Sequence, residues 1–498
     1  MYISTRGNYP PVSASEVIRL GMVPAGGLFV PEEIPVLSGE EILAWRGSSY
    51  QEVAHWIISL FLPDFSPEEI RFCVEQAYNE ENFAHPQIAP LYRLDDRTFF
   101  LELWYGPTAA FKDLALQIMP HLLSRALLKT RVDKETVILV ATSGDTGKAA
   151  LEGFKNVPGI KIIVFYPHGG VSKVQELQMT TTDGSNTYVV AVKGNFDDCQ
   201  NAVKDVFADG DFKRILSKKG YELSSANSIN WGRLLPQIVY YFQAYLSLLE
   251  QGEISPGEKI NFVVPTGNFG NILAGWYAYR MGLPVNKLVC ASNENKILTD
   301  FFRSGSYDLH REFKQTISPS MDILISSNLE RFLFEMTGHD AVKINRWMTE
   351  LKETGCFEVD AGTREFMGKI LSAGFADEEE TLKAIKDVFT RCAYLLDTHT
   401  AVGFRVYQKY RLRTGDQTKT VINATASPFK FSRSVLEAIR GRDFLQGKDE
   451  FGILQELSKI SRTSLHPALW DLEEKAVLHH TVCNKEEIRG EINKILKL

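Results

Sequence analysis

Lys112 is the residue whose setting carries the most chemistry. It stands in Gly106-Pro-Thr-Ala-Ala-Phe-Lys-Asp113, where small residues and a proline turn lead into an apolar helix, Leu114 to Leu123. By itself such a lysine is a solvated charge. To attack an aldehyde it needs burial, which lowers its pKa and frees the amine. If the aldehyde belongs to a phosphorylated cofactor, a separate anion site must hold the phosphate at a distance.

The sequence supplies a second part of that kind. Pro265-Thr-Gly-Asn-Phe-Gly-Asn271 follows an apolar run and opens a helix. Its backbone N–H groups and the helix dipole make an anion site, and Gly267 and Gly270 let the backbone approach a phosphate. The same spelling also suits a tight turn with no ligand. A third loop, Thr142-Ser-Gly-Asp-Thr-Gly147, sets hydroxyls and a carboxylate just before a helix; it suits a small carboxylate, and equally a capped helix start. Two nucleotide motifs fail on spelling. A P-loop requires glycine at position 142, which is Thr, and Ser or Thr at 149, which is Ala; neither loop contains Gly-x-Gly-x-x-Gly.

Such loops must be held by regular elements. Strands are expected at Thr136 to Ala141, Ile160 to Tyr166, Thr187 to Val192, Ile260 to Val264, Lys287 to Ala291 and Thr420 to Ala424, with helices between them. This alternation predicts α/β organisation, with ligands at the carboxyl ends of the strands, where the Thr142, Pro265 and Thr425 loops lie. Residues 13 to 82 read as mostly helical, beginning with a Ser13/Glu16 capping box. A charged helical region is expected from about 303 to 387, and a helical C-terminal cap after 446. The expected divisions are an N-terminal region 1–98, a smaller α/β lobe 99–225 carrying Lys112, and a larger lobe 226–498.

A chain of 498 residues exceeds a single core and requires several domains. A net charge of -7 argues against a nucleic-acid partner, whose phosphates call for a basic face. No signal-peptide pattern or membrane-length apolar run is present, so a cytoplasmic protein without a membrane partner is expected. The six cysteines form no Cys-x-x-Cys pair and the ten histidines no ligand spacing, so no metal site is expected.

Taken together, Tyr2-x-Ser-Thr-Arg-Gly7, the Lys112 block, Ala141-Thr-Ser-Gly-Asp-Thr-Gly147, Val171-Ser-Lys-Val-Gln-Glu-Leu-Gln-Met179, Asn227-Ser-Ile-Asn-Trp-Gly-Arg233, Gly267-Asn-Phe-Gly-Asn271 and Ala424-Thr-Ala-Ser-Pro-Phe-Lys-Phe431 resemble the threonine synthase family in its long form. The resemblance implies fold type II of the pyridoxal-phosphate enzymes: two open α/β lobes (tryptophan synthase β-like) with pyridoxal 5'-phosphate in the cleft between them, preceded here by the extra N-terminal region. It implies conversion of O-phospho-L-homoserine and water to L-threonine and phosphate by γ-elimination and β-addition of water, the last step of threonine biosynthesis. Carried over by motif, Lys112 holds the cofactor as a Schiff base, Gly267, Asn268, Phe269, Gly270 and Asn271 form its phosphate cup, and Thr425 meets the pyridine nitrogen. Thr142, Ser143, Asp145 and Thr146 would receive the substrate carboxylate. Asn227, Ser228 and Arg233 would cradle the substrate phosphate.

The chain departs from the family pattern at Ala109, Gly170, Lys173 and Ser427, and the departures at Gly170, Lys173 and Ser427 bear on fine substrate contacts. Two other readings are a serine or threonine dehydratase of the same fold, against which the Ser-Thr-Arg-Gly and Asn227 to Arg233 blocks speak, and a non-catalytic relative that only binds the cofactor.

Overall fold

Apolar strands alternating with amphipathic helices build two largely parallel sheets. In the computed structural model, which describes every residue except Val132 and Ser143 and the side chain of Asp197, the smaller sheet has the order Thr481–Asn484, Thr187–Lys193, Ile160–Pro167, Glu135–Ala141, Tyr221–Ser224, all parallel. The larger sheet runs Leu371–Phe375, Val285–Ser292, Ile260–Pro265, Thr420–Ala424, Thr98–Glu102, Leu91–Arg93, with only the last pair antiparallel. Ile260–Pro265 and Thr420–Ala424 are buried along their whole length, as strands covered by helices on both faces must be. Each strand expected from the sequence forms, with ends within two residues of those expected.

The expected divisions at 98/99 and 225/226 do not follow the sheets. Thr98–Glu102 does not open the smaller lobe; it lies inside the larger sheet, between Thr420–Ala424 and Leu91–Arg93. The C-terminal segment, assigned to the larger lobe as a helical cap, crosses back through Thr481–Asn484 to extend the smaller sheet. The region expected to be helical from 303 to 387 also holds Leu371–Phe375, an edge strand of the larger sheet, and the ribbon Ser306–Asp308 with Cys356–Glu358. These strands of three to five residues are too short to show a period, and their partners lie far away in sequence.

The N-terminal region is tied down by local chemistry. The helices Ala14–Leu20, Gly39–Leu43, Tyr50–Phe61 and Pro67–Ala77 each begin with a reciprocal Ser-x-x-Glu box, from Ser13, Ser38, Ser49 and Ser66. Each box satisfies two otherwise orphaned backbone donors, and a cap residue of this kind contributes about 1 kcal/mol. Trp56 packs edge-on against Phe242 of the long helix Trp231–Glu250. The Tyr78 hydroxyl donates to the Leu114 carbonyl at 2.6 Å, two residues past Lys112. Thr5 and Arg6 of the Ser-Thr-Arg-Gly block bond Glu330, at 2.7 and 2.8 Å. That block braces the helix Leu329–Met336.

The helix Asp145–Phe154 lies against the short helix Asp113–Leu116 that starts at Lys112, and Gly153 makes the approach possible. A Cβ at position 153 would stand 2.0 Å from the Leu116 carbonyl oxygen, inside any permitted contact. Gly153→Ala is therefore expected to lower stability by about 1–3 kcal/mol, read as a shift of the urea midpoint; an unchanged midpoint would contradict this packing.

Candidate active site

Lys112 is positioned by a turn stitched to the end of a strand. Phe111 N–H donates to the Thr425 carbonyl at 2.8 Å and Ser427 N–H to the Ala109 carbonyl at 3.0 Å, so the lysine turn runs alongside the loop that leaves Thr420–Ala424. Behind the lysine, Asp113 accepts from the Thr108 N–H at 2.9 Å and the Thr108 hydroxyl at 2.7 Å, which closes the turn. Burial pushes the Asp113 carboxyl up to about 6 despite these bonds.

The amine of Lys112 faces a charge cluster. Its side chain is 13% exposed and its Nζ lies 3.7 Å from Asp145 Oδ2. Lys430, whose side chain has no exposed surface, places Nζ 2.7 Å from Asp145 Oδ1 and donates to the Thr108 carbonyl at 2.9 Å. Asp145 also accepts from Gln175 Nε2 at 3.1 Å and Ser320 Oγ at 3.2 Å. Burial lowers the Lys112 pKa to about 8; Asp145 pulls it up while Lys430 and Arg233 push it down. Burial alone would raise the Asp145 pKa, but Lys430, Lys112 and the Gln175 amide outweigh it and hold the carboxyl well below the usual range. Lys430, Gln175 and Ser320 were not among the residues selected from the sequence. Lys430 and Gln175 stand in quoted blocks, yet nothing in a sequence distinguishes a buried lysine from a solvated one.

At the other end, the Gly267 to Asn271 loop offers unbonded donors. Among the described residues, no acceptor meets the N–H groups of Gly267, Asn268, Phe269, Gly270 or Asn271. Phe269 turns the loop with a left-handed φ of 63° and seats its ring on Phe302 and Phe332. The loop is braced from behind: Ser326 Oγ donates to the Gly267 carbonyl at 2.8 Å, and Asn328 donates twice to the Asn268 carbonyl. At position 267 a Cβ would meet the Ser320 carbonyl at 2.8 Å. The side-chain oxygen of Asn271 accepts from Tyr240, Tyr241 and Asn423, while its buried amide nitrogen has no partner among the described residues and is a further donor beside the backbone.

The remaining sequence-selected residues divide. The Thr142 hydroxyl oxygen accepts from the Gly144 and Gly147 N–H groups at 3.0 and 2.9 Å, so it organises the loop. Ser143 lies outside the described residues. Thr146 is partly buried and its side chain is unbonded among the described residues. Ser228 joins the cup, 3.4 Å from Ser327 Oγ and 3.3 Å from Asn328 Nδ2. Asn227 is half-buried nearby in sequence, and its side-chain amide has no hydrogen-bond partner among the described residues. Arg233 is 3% exposed; it bonds the Ala226 carbonyl, its Nε has no partner among the described residues, and burial lowers its pKa to about 10. Among the described residues no carboxylate bonds this cation, and its charge suits an anion.

Thr425 closes the arrangement. It is buried, and its N–H donates to Thr400 Oγ1 at 3.3 Å. Thr400 bonds Asp397, Asp397 holds His399 Nδ1 at 3.0 Å, and His399 Nε2 accepts the Ser320 N–H at 3.1 Å. That acceptance places the ring proton on Nδ1. A continuous buried network thus runs from Thr425 to Ser320 and Asp145. An amine, a set of free amides and the neutral Thr425 hydroxyl, which has no hydrogen-bond partner among the described residues, fit a phosphorylated pyridine aldehyde such as pyridoxal phosphate.

Comparison with known proteins bears directly on this site. Residues 1–78 match the family described as threonine synthase N terminus, 86–426 the pyridoxal-phosphate dependent enzymes, and 400–487 threonine synthase, C-terminal. A threonine synthase of Schizosaccharomyces pombe is 39% identical over 87% of this chain and 88% of its own. The human protein called threonine synthase-like 1 is 41% identical over 88% of this chain, which spans 61% of that longer protein. The crystal structure of a PLP-bound threonine synthase from Brucella melitensis covers 100% of this chain and 99% of its own at 38% identity, with a TM-score of 0.88. The fold is type II of the pyridoxal-phosphate enzymes, the cofactor is pyridoxal 5'-phosphate, and the chain belongs to the threonine synthase family of lyases.

Proposed function

We propose that the chain converts O-phospho-L-homoserine and water to L-threonine and phosphate, as a cytoplasmic enzyme acting on a small molecule without nucleic acid or membrane. The observation that carries the residue assignment is the Lys112 amine, buried, lowered to about 8 and set beside Asp145, which Lys430 also contacts. An amine of that pKa is neutral in a useful fraction near neutrality, so it can hold an aldehyde cofactor and then shuttle protons. When bound, pyridoxal phosphate supplies the electron sink for negative charge developing next to the substrate amine.

The free amides of Gly267 to Asn271 hold the cofactor phosphate, supported by the dipole of the helix Gly270–Arg280. Thr425 meets the ring nitrogen with a neutral hydroxyl. Thr142, Ser143 and Thr146 take the substrate carboxylate. Asp145 departs from that set: already ionised between two lysines, it would repel a carboxylate, and its work is to orient Lys112. Arg233, with Asn227 and Ser228, takes the substrate phosphate. Lys112 Nζ removes the α proton and next one from Cβ. The Cγ–O bond breaks with its electron pair leaving on phosphate; water adds its oxygen at Cβ, and protons return to Cγ and Cα.

Holoenzyme given O-phospho-L-homoserine should release phosphate and threonine in equal amounts. Formation of 2-oxobutyrate from threonine or pyruvate from serine, with no phosphate release, would instead identify a dehydratase. Lys112→Ala should lose the visible cofactor band and lower kcat by about 10³-fold or more. Arg233→Gln should raise KM for O-phospho-L-homoserine by about ten- to a hundredfold, the worth of one charged hydrogen bond at roughly 1.5–3 kcal/mol; an unchanged KM would remove Arg233 from the phosphate site. Because only neutral Lys112 recombines with the cofactor, reconstitution of apoenzyme should accelerate as pH rises through about 8. Lys430→Met deletes a charge that lowers that pKa, so the midpoint should move to higher pH; a shift downward would contradict the electrostatic reading.

A further inference from the structure

A second polar cavity, of about 450 Å³, opens behind the active site between the helices Asp145–Phe154 and Lys173–Thr180 and the C-terminal segment from Ala468 to Leu478. The reaction described above uses none of its polar side chains. Its wall carries three ammonium groups, Lys148, Lys155 and Lys475, and two carboxylates, Glu152 and Asp183. Pro107, Ala468 and Leu472 supply apolar surface.

Gln178 is the observation that points to a ligand. It lines this cavity, is 1% exposed, and neither its amide nitrogen nor its amide oxygen has a hydrogen-bond partner among the described residues. A buried amide left unbonded costs about 1–3 kcal/mol, which a ligand with both donors and acceptors would recover. Lys148, nearly buried, pairs with Glu152 and donates to Thr182 Oγ1 at 2.9 Å, while Lys155 pairs with Asp183 at 2.5 Å. Lys475 pairs with no carboxylate among the described residues. The C-terminal wall is anchored to the other: Leu478 N–H donates to the Thr180 carbonyl at 2.8 Å, and a His479 ring nitrogen lies 2.9 Å from the Thr182 carbonyl.

The mixture of charge decides the ligand class. A phosphate dianion would bring two negative charges against Glu152 and Asp183 and leave the Gln178 donors and acceptor only half used. A zwitterion uses both signs: its carboxylate meets Lys475 and Lys148, its ammonium meets Glu152 or Asp183, and the Gln178 amide bonds either end. We propose that this cavity binds a free amino acid. It adjoins the reaction centre through Pro107, whose neighbour Thr108 accepts the Lys430 ammonium and closes on Asp113.

The experiment is calorimetric titration of the holoenzyme with glycine, L-threonine, L-aspartate and inorganic phosphate, with the visible cofactor band followed in parallel. Entry of an amino acid into the active site changes that band, whereas filling the second cavity does not. At least one of the three amino acids should bind saturably without a spectral change. That binding should weaken about tenfold or more in Lys475→Ala and in Gln178→Leu, while kcat without added amino acid stays at the wild-type value in Lys475→Ala. Three outcomes would overturn the proposal: no spectrally silent binding of any of the three, silent binding indifferent to both substitutions, or silent binding of phosphate alone.

Discussion

One carboxylate buried between two ammonium groups organises the reaction centre. Asp145 stands at the start of a helix that follows the strand Glu135–Ala141 of the smaller sheet, and Lys430 lies just past Thr420–Ala424 of the larger one. Their 2.7 Å contact therefore fastens the two sheets across Lys112. A buried charge without a partner costs several kcal/mol, so either group alone would be a liability. Together they form a fixed electrostatic frame, and Gln175, Ser320 and the Thr108 carbonyl absorb the remaining bonding capacity.

That frame carries more positive than negative charge. Lys112, Lys430 and Arg233 face Asp145 and Asp113, and the five amides of the Gly267 to Asn271 loop add the positive end of a helix. A site built this way suits anions, as the proposed cofactor phosphate, substrate carboxylate and substrate phosphate would be. Burial, with help from the Lys430 and Arg233 charges, lowers the Lys112 pKa to about 8, while Asp145, 3.7 Å from the amine, pulls it back up. Rigidity comes from behind the loops, where the N-terminal region braces Glu330 and the Asn328 cap in turn braces Asn268.

Much of this was legible in the residues because each loop advertises backbone chemistry. Glycines at 267 and 270 after an apolar strand announce a helix start open to an anion, and the six expected strands are long enough to show their character. Lys112 and Thr425 stood out through the blocks around them. What escaped depends on tertiary burial. Lys430 spells as an ordinary cation, Ser320 lies in a stretch read as helical, and the His399 tautomer follows from a Ser320 N–H contributed from far away in sequence. The short strands Leu371–Phe375 and Thr481–Asn484 gain their identity only from the sheet edges they meet. Thr142 shows a further limit, since a residue type apt for a ligand can be turned to hold its own loop.

Two lysines near one carboxylate make the identity of the cofactor lysine the central claim. Borohydride reduction of the holoenzyme, which fixes the cofactor to whichever amine holds it, followed by peptide mass mapping, addresses it directly. The pyridoxyl group should be found on the peptide containing Lys112, with Lys430 unmodified. A pyridoxyl group on Lys430, or on neither lysine, would contradict the account.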